Sequence, residues 1–206
     1  MITLANIQAA LERHDPIPLP PPEKMHHRAA VALILAGLPE DLRLCFILRA
    51  ERAGDRWSGQ MAFPGGRASE EDSTPRDIAV RETSEEVGVR LEDEHHLGDL
   101  SDLSIRRKGL DVDGIITPLV FYLGKVLPPL TLNEEVASAH WIALGHLWSP
   151  ENASAIDLTI EGEVVAHPGI RFDEQIIWGL SHRILTSFSE LIAQPLPSMK
   201  DRDSKR

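Results

Sequence analysis

Cysteine is nearly missing from this chain: Cys45, inside the apolar run LCFILR, is the one thiol in 206 residues. A single thiol excludes an internal disulfide, and without a C-x-x-C pair the usual thiolate metal spacing is gone too, so a reducing compartment fits best. Cys45 itself reads as a small hydrophobe on a buried strand rather than as a nucleophile. Long apolar runs are missing as well. None approaches the roughly 18 residues that cross a membrane, and the start MITLANIQAALERHD has no basic segment leading into a hydrophobic one. A soluble, unexported, cytoplasmic protein with no membrane contact is therefore expected. Basic runs are scarce: 32 acidic residues face 21 basic ones, for a formal net charge of -11. Sequence-general nucleic-acid binding wants the opposite balance, so no nucleic-acid partner is expected. A small anion would have to be held by locally placed cations, a bound metal or backbone N–H groups. The nine histidines, with His26-His27 and His95-His96 among them, show no zinc-site spacing.

What is present is enough apolar material, 42% of the residues, for one sizeable core, and nothing in the composition forces a second. Leu4, Ile7 and Leu11 recur at helical spacing, and PIPLPPPE then stops that helix. RAAVALILAG and LRLCFILRA read as apolar strands joined by a hairpin at LPED, and QMAFPGG as a short strand entering a glycine turn. From Asp72 to Gly88 the pattern is helical, with Ser73 or Thr74 as N-cap, Pro75 in the first turn and Gly88 at the end. LGDLSDLSI, GIITPLVFYLG and ASAHWIAL are further strand candidates; LGHLWSPEN reads as a loop and DLTIEGEVVAHPGIRF as two strands. EQIIWGLSHRILTSFSELIA reads as one helix with apolar positions at Ile176, Leu180, Ile184, Leu185 and Phe188, and PLPSMKDRDSKR as a frayed polar tail. Mostly strand, with an early and a late helix, this order points to an α/β fold in which helices flank a mixed sheet. The expected organisation is an N-terminal helix and proline-rich arm over 1–28, one folded domain over 29–194 and a polar tail over 195–206.

Within AVRETSEEVGV, Glu82, Glu85 and Glu86 stand at i, i+3 and i+4, so their carboxylates leave from one helix face while Ala79, Thr83 and Val87 line another. Like charges at that spacing repel. A solvated acidic face is the competing reading for any glutamate-rich helix. Here the FPGG turn just upstream, which lets backbone come close to a ligand, favours a site. Three carboxylates on one rigid face suit a hard divalent cation with oxygen ligands, and Mg²⁺ held in this way commonly partners phosphate oxygens.

The stretch GGRASEEDSTPRDIAVRETSEEVGV resembles the Nudix box, written G-x5-E-x7-R-E-U-x-E-E-x-G-U with U aliphatic. RETSEEVGV matches except at Thr83, which stands at the first aliphatic position, and from Gly66 to Arg81 the spacing is one residue longer than the general pattern. The longer form, with FPGGR and an acidic residue at Asp72, is similar to the coenzyme A pyrophosphatase branch, and EVASAHWIAL and IIWGLSHRIL extend the similarity. This resemblance implies a Nudix-type α/β/α sandwich over 29–194 and a Mg²⁺- or Mn²⁺-dependent hydrolysis of a nucleoside diphosphate linked to another moiety. Carried over residue by residue, it makes Glu82, Glu85 and Glu86 metal ligands, one of them also a proton acceptor, and gives Arg81 an orienting role beside them. Gly65 and Gly66 permit the path of the loop. Glu135, shortly before HWIAL, is the candidate for a catalytic carboxylate from outside the box, with a solvated loop glutamate beside Glu134 as the equal alternative. A homodimer is implied by the resemblance alone.

Substrate choice is less marked. The coenzyme A branch carries an upstream signature like L-L-T-x-T-[SA]-x3-R-x3-G-x3-F-P-G-G. Gly59 and FPGG keep its second half, while Leu48 and Ala50 replace threonines, Asp55 replaces arginine, and Arg56 lies one place off. ADP-ribose, dinucleotides and nucleotide sugars therefore stand beside coenzyme A as small-molecule substrates. Arg52 and Arg56 are candidates for substrate phosphates; Arg49 reads as a surface arginine. Trp57 and Trp141 are read as core or rim residues before base-stacking ones. A non-catalytic nucleotide-binding module and an isopentenyl-diphosphate-type isomerase are the rival classes. The intact glutamates oppose the first, and the second would need a reactive cysteine where Cys45 is expected to be buried.

Overall fold

The computed structural model describes residues 2–20, 27–54, 57–105, 114–160 and 162–203. A first helix, α1 (Leu4–Glu12), precedes strands β1 (Arg28–Leu38) and β2 (Asp41–Arg49), then two very short strands, β3 (Met61–Ala62) and β4 (Gly65–Arg67). The helix α2 (Pro75–Val87) follows, and after it β5 (His96–Asp99), β6 (Leu103–Ile105), β7 (Gly114–Tyr122) and β8 (Val136–Ala143). A one-turn helix α3 (Leu144–Leu147) leads to β9 (Ala153–Ile160), β10 (Glu163–Phe172), β11 (Gln175–Trp178), the long α4 (Gly179–Leu191) and a short α5 (Met199–Asp203).

Eight strands form one mixed sheet whose backbone order is β3-β2-β1-β7-β5, with β4 on β1, β6 on β7 and β8 on β2. Its one parallel pairing among the described residues joins β1 to β7, with Val31 opposite Pro118 and Leu33 opposite Val120. β9, β10 and β11 make a separate antiparallel sheet. β1 is buried over eight consecutive residues, as a central strand covered on both faces must be. Side chains alternate between faces, so Leu33 and Leu35 join one apolar cluster with Ile7, Leu11, Phe46, Phe63, Ile184 and Phe188, while Ala32 and Ile34 join another with Cys45, Ile47, Ile78, Ala79 and Val87. One face is thus covered by α1 and α4 and the other by α2, which is the expected α/β fold with helices on both sides of a mixed sheet.

Four local expectations need correction. QMAFPGG is two strands rather than one: Met61 pairs with Leu48 on β2, and Gly65 and Gly66 pair with Val31 and Ala30 on β1. The stretch LGHLWSPEN is not a plain loop but holds α3 and a 3₁₀ turn at Pro150–Asn152. The final long helix starts later than its apolar period suggests, because Gln175–Trp178 pairs with β10 and Gly179, at φ 60, breaks the chain between strand and helix. Ile176 and Ile177 are β-branched, and a strand partner outweighs a helical period that happens to extend through them. The polar tail, read as frayed, forms α5, in which Asp201 accepts from the Ser198 backbone N–H and hydroxyl at 2.7 and 2.6 Å.

Candidate active site

Helix α2 is set by its ends. Thr74 Oγ1 accepts from the Asp77 N–H at 3.2 Å while Asp77 Oδ2 accepts from the Thr74 N–H at 2.7 Å, a reciprocal capping box with Pro75 just inside it. Gly88, at φ 70, closes the other end in the left-handed conformation. Ile78, Ala79, Thr83 and Val87 press on the sheet and fix the helix in rotation. The three glutamates then fall along a gradient of depth: side-chain exposure is 2% for Glu86, 16% for Glu82 and 53% for Glu85.

Opposite the helix, the glycine turn runs against β1. A Cβ on Gly65, at φ 147, would overlap the Ala30 carbonyl and the Val31 backbone, and a Cβ on Gly66 would overlap the Glu82 carboxylate. Glycine at both positions therefore lets loop, strand and carboxylate share one place. The Gly65 N–H donates to Glu86 Oε2 at 2.8 Å. Arg49, at the end of β2 where the register against β8 shifts, brings Nη1 to 3.9 Å from Glu86 Oε1. Reading Arg49 as a surface side chain is corrected by that position: it is three-quarters buried on the wall of the cleft.

Arg81 joins the acidic groups. It donates from Nη2 and Nε to the two oxygens of Asp72 at 2.8 and 3.2 Å, from Nη1 to Glu82 at 2.9 Å and Glu85 at 3.1 Å, and from Nη2 to the Arg67 carbonyl at 3.1 Å. Asp72 is buried and also accepts from the Ser69 N–H and hydroxyl at 2.7 and 2.9 Å. The Arg81 hydrogen bonds, helped by Ser69, hold its carboxyl down at about 2. Sequence reasoning recorded Asp72 only as part of a spacing. Its pairing with Arg81 is a tertiary contact, and the sole linear signal was an acidic residue nine positions before a box arginine.

The cleft between these elements has a volume of about 540 Å³. Glu82, Glu86, Glu135, Gly65 and Gly66 line it, so the structure brings these five together; Arg49, Arg67 and Trp57 lie on the same wall. Glu85 and Arg81 stand outside the lining and reach it through Glu82. Arg52 stands outside the lining and reaches it through Glu135, to which it donates at 2.9 Å. Arg56 lies outside the described residues. Met61, Phe63, Ile105, Ile116 and Leu180 add apolar side chains to the lining. Trp57 faces the cleft with the Arg67 guanidinium 5.7 Å from its ring centroid, whereas Trp141 donates to the Pro128 carbonyl away from it. Cys45 lies fully buried in the cluster beneath α2, its thiol pushed up to about 12 by burial and by the charge of Glu86, so it offers no thiolate for isomerase chemistry.

Burial pushes Glu86 up to about 7, against the Gly65 N–H, with the charge of Glu82 adding to the rise. Burial also raises Glu82, opposed by Arg81 and reinforced by Glu85 and Glu135. All donors here are carboxylate oxygens, and two are buried beside like charges, so the set is chemically suited to a hard divalent cation. Among the described residues no three His, Cys, Asp or Glu side chains are already disposed to hold a metal ion. Glu82 and Glu85 are turned to Arg81 and Glu86 to Gly65. No described helix is long and apolar enough to cross a membrane.

Comparison with known proteins agrees with this architecture. The NUDIX domain matches residues 25–160. An uncharacterised Nudix hydrolase of Yersinia pestis, NudL, is 31% identical over 170 residues, 82% of this chain and 81% of its own. An uncharacterised protein of Schizosaccharomyces pombe is 37% identical over 115 residues, but the chain spans only 35% of its length. Among solved structures, a MutT/nudix family protein from Enterococcus faecalis shares the fold at a TM-score of 0.57, with 20% identity, covering 93% of this chain and 70% of that one. With the glycine turn and α2 inside the matched region and the NudL likeness running over most of its length, the chain belongs to the Nudix family.

Proposed function

We propose that the chain is a divalent-metal-dependent diphosphatase that hydrolyses the phosphoanhydride of a nucleoside diphosphate linked to another moiety, with a coenzyme A-like substrate as the first candidate. The observation that carries this reading is the meeting of Glu82, Glu86 and Glu135 in the lining of a cleft that apolar side chains also line. Charged and apolar lining together match a substrate that is anionic in one part and less polar in another. Mg²⁺ or Mn²⁺, when bound, would neutralise charge on the diphosphate and favour ionisation of the attacking water. Glu82, Glu85 and Glu86 are the residues that would hold it, with Glu135 as the added carboxylate from outside the box. Arg81, anchored by Asp72, keeps Glu82 and Glu85 in place, and Arg52, paired with the lining residue Glu135, would take a phosphate oxygen. Water adds its oxygen to one phosphorus as the P–O–P bridge breaks, the bridging oxygen leaves with the other phosphate, and a cleft carboxylate takes the proton.

Two features support the coenzyme A branch within this class. FPGGR with Asp72 keeps the branch's longer spacing, and the similar stretch IIWGLSHRIL contributes Leu180 and Ser181 to the cleft. The Leu48 and Ala50 replacements in the upstream signature weigh on the other side. Turnover of coenzyme A, ADP-ribose, dinucleotides, nucleotide sugars and nucleoside triphosphates, followed by chromatography with and without Mg²⁺ or Mn²⁺, decides the matter. Metal-dependent release of two phosphate-bearing products, fastest on coenzyme A, is the expected outcome. No metal-dependent turnover on any member would overturn the reading, and a faster partner such as ADP-ribose would replace coenzyme A within it.

A further inference from the structure

Each carboxylate at the cleft already meets an arginine. Arg81 takes Glu82 and Glu85, Arg49 stands over Glu86, and Arg52 holds Glu135 at 2.9 Å with Glu134 at 3.7 Å on its other terminal nitrogen. The pairs are not equally fixed. Arg81 is tied to Asp72 and to a carbonyl, whereas among the described residues the Arg52 guanidinium meets only Glu134 and Glu135. Arg52 and Glu135 are also both open to solvent, with side-chain exposures of 43% and 41%. An ion pair that exposed contributes little and parts at little cost.

The backbones around this pair are held independently of it. The Ala50 N–H donates to the Glu135 carbonyl at 2.8 Å, the Glu135 N–H donates to Asn133 Oδ1 at 2.9 Å, and the Arg52 N–H donates to Ser58 Oγ at 2.6 Å. Both side chains can therefore change partners while the backbone around them keeps its place. On one side of Glu135 lie Glu82 and Glu86, with which it shares the cleft wall and whose charges repel its own. Glu135 lines the cleft while its side chain stays 41% exposed, so it is reachable from solvent.

Resting on the metal-dependent reading above, we propose that Arg52 is the resting counter-ion of Glu135 and that the pair exchanges partners during binding: Glu135 turns from Arg52 to the divalent cation, and the released guanidinium takes a phosphate oxygen of the substrate. Metal and substrate are then coupled through one ion pair. By linkage, whatever frees Arg52 for phosphate also frees Glu135 for metal, so each ligand strengthens the other. Arg52 is a positioning residue for metal and a binding residue for substrate, two effects of opposite sign when it is removed.

The test reads binding rather than turnover. Mn²⁺ alone is titrated, by the loss of its free-ion electron paramagnetic resonance signal, into wild type, Arg52→Ala, Glu135→Gln and the double variant. Loss of Arg52 should tighten Mn²⁺ about twofold to fivefold where Glu135 is present, the size of an exposed ion pair, and should change nothing in the Glu135→Gln background. Methylenediphosphonate, a diphosphate that cannot be hydrolysed at its bridge, should in turn bind Mn²⁺-loaded Arg52→Ala more weakly than loaded wild type. The same tightening in both backgrounds would mean that Arg52 acts only through its general field, and no tightening would mean that it does not compete for Glu135; either overturns the exchange while leaving the metal site standing. Wild type that binds no Mn²⁺ would overturn the metal site and the exchange together.

Discussion

Glu86 is the residue under most electrostatic tension in the cleft. Burial lifts its carboxyl to about 7, the Gly65 N–H opposes that rise, and Glu82, Arg49 and Glu135 modify it. The folded value lies above the ordinary 4.5, so between those pH values the folded protein binds more protons than the unfolded one. In metal-free protein this contribution to stability is full below about pH 4.5 and is lost as pH rises through about 7. Glu86→Gln keeps an acceptor for the Gly65 N–H and removes the buried charge. Metal-free at pH 8, the variant should be more stable than wild type by about 1 to 3 kcal/mol, and the difference should shrink toward pH 5. Denaturant unfolding in the presence of a chelator measures both. Turnover should fall by orders of magnitude all the same, since a carboxamide lacks the anionic oxygen a hard cation prefers. A variant that keeps full turnover would show that the buried Glu86 carboxylate holds no ion the reaction needs.

At the scale of the element, α2 is held by its cap and by the Arg81–Asp72 fork, and each hold has its own cost. Thr74→Ala removes the acceptor of the capping box and should cost about 1 kcal/mol with little effect on metal binding. Asp72→Asn and Arg81→Ala each break the fork that anchors Arg81, and should cost about 1 to 3 kcal/mol even without metal. Asp72, held at about 2 by Arg81, supplies stability above the ordinary 3.8 that is lost as pH falls through about 2, so the penalty of Asp72→Asn should disappear in strong acid. Equal stability of wild type and Asp72→Asn at pH 7 would show that the fork orients nothing. The caps were legible because Thr74, Pro75 and Gly88 act within a few residues of themselves. The depth of the glutamates was not: spacing at i, i+3 and i+4 puts them on one face but says nothing of how that face is tilted to the sheet. The same limit explains β11, where a period continuing through Ile176 reads as helix until β10 is there to pair with it.

Across the whole molecule, the run of apolar strands and flanking helices was enough to read a mixed sheet covered on both sides, because two-sided burial writes a continuous hydrophobic run such as that of β1. Which strands lie side by side was not legible, since the parallel partner of β1 is β7, whose paired residues lie 87 positions on (Arg28 to Ile115), and nothing local names it. The cleft depends on that choice: Ala29 and Val31 of β1 and Ile116 of β7 line it beside the glycine turn.

The net charge of -11 acts at this scale as well, and any cation will stabilise such a chain a little by screening. Binding at the site must exceed that. With free Mg²⁺ at about a hundred times its dissociation constant, mass action adds about 2.7 kcal/mol. In a chain of 206 residues this should raise the melting temperature by about 5 to 10 °C. The rise should be larger at pH 8 than at pH 5.5, because Glu86, pushed up to about 7, must lose a proton before it can hold the ion. Melting curves with MgCl2, and with NaCl at matched ionic strength, separate the two contributions. NaCl should give a small rise with little dependence on pH, and Glu86→Gln should lose most of the difference between the salts. If NaCl reproduces the full shift, the ion is screening an acidic molecule rather than occupying a site among the carboxylates of α2.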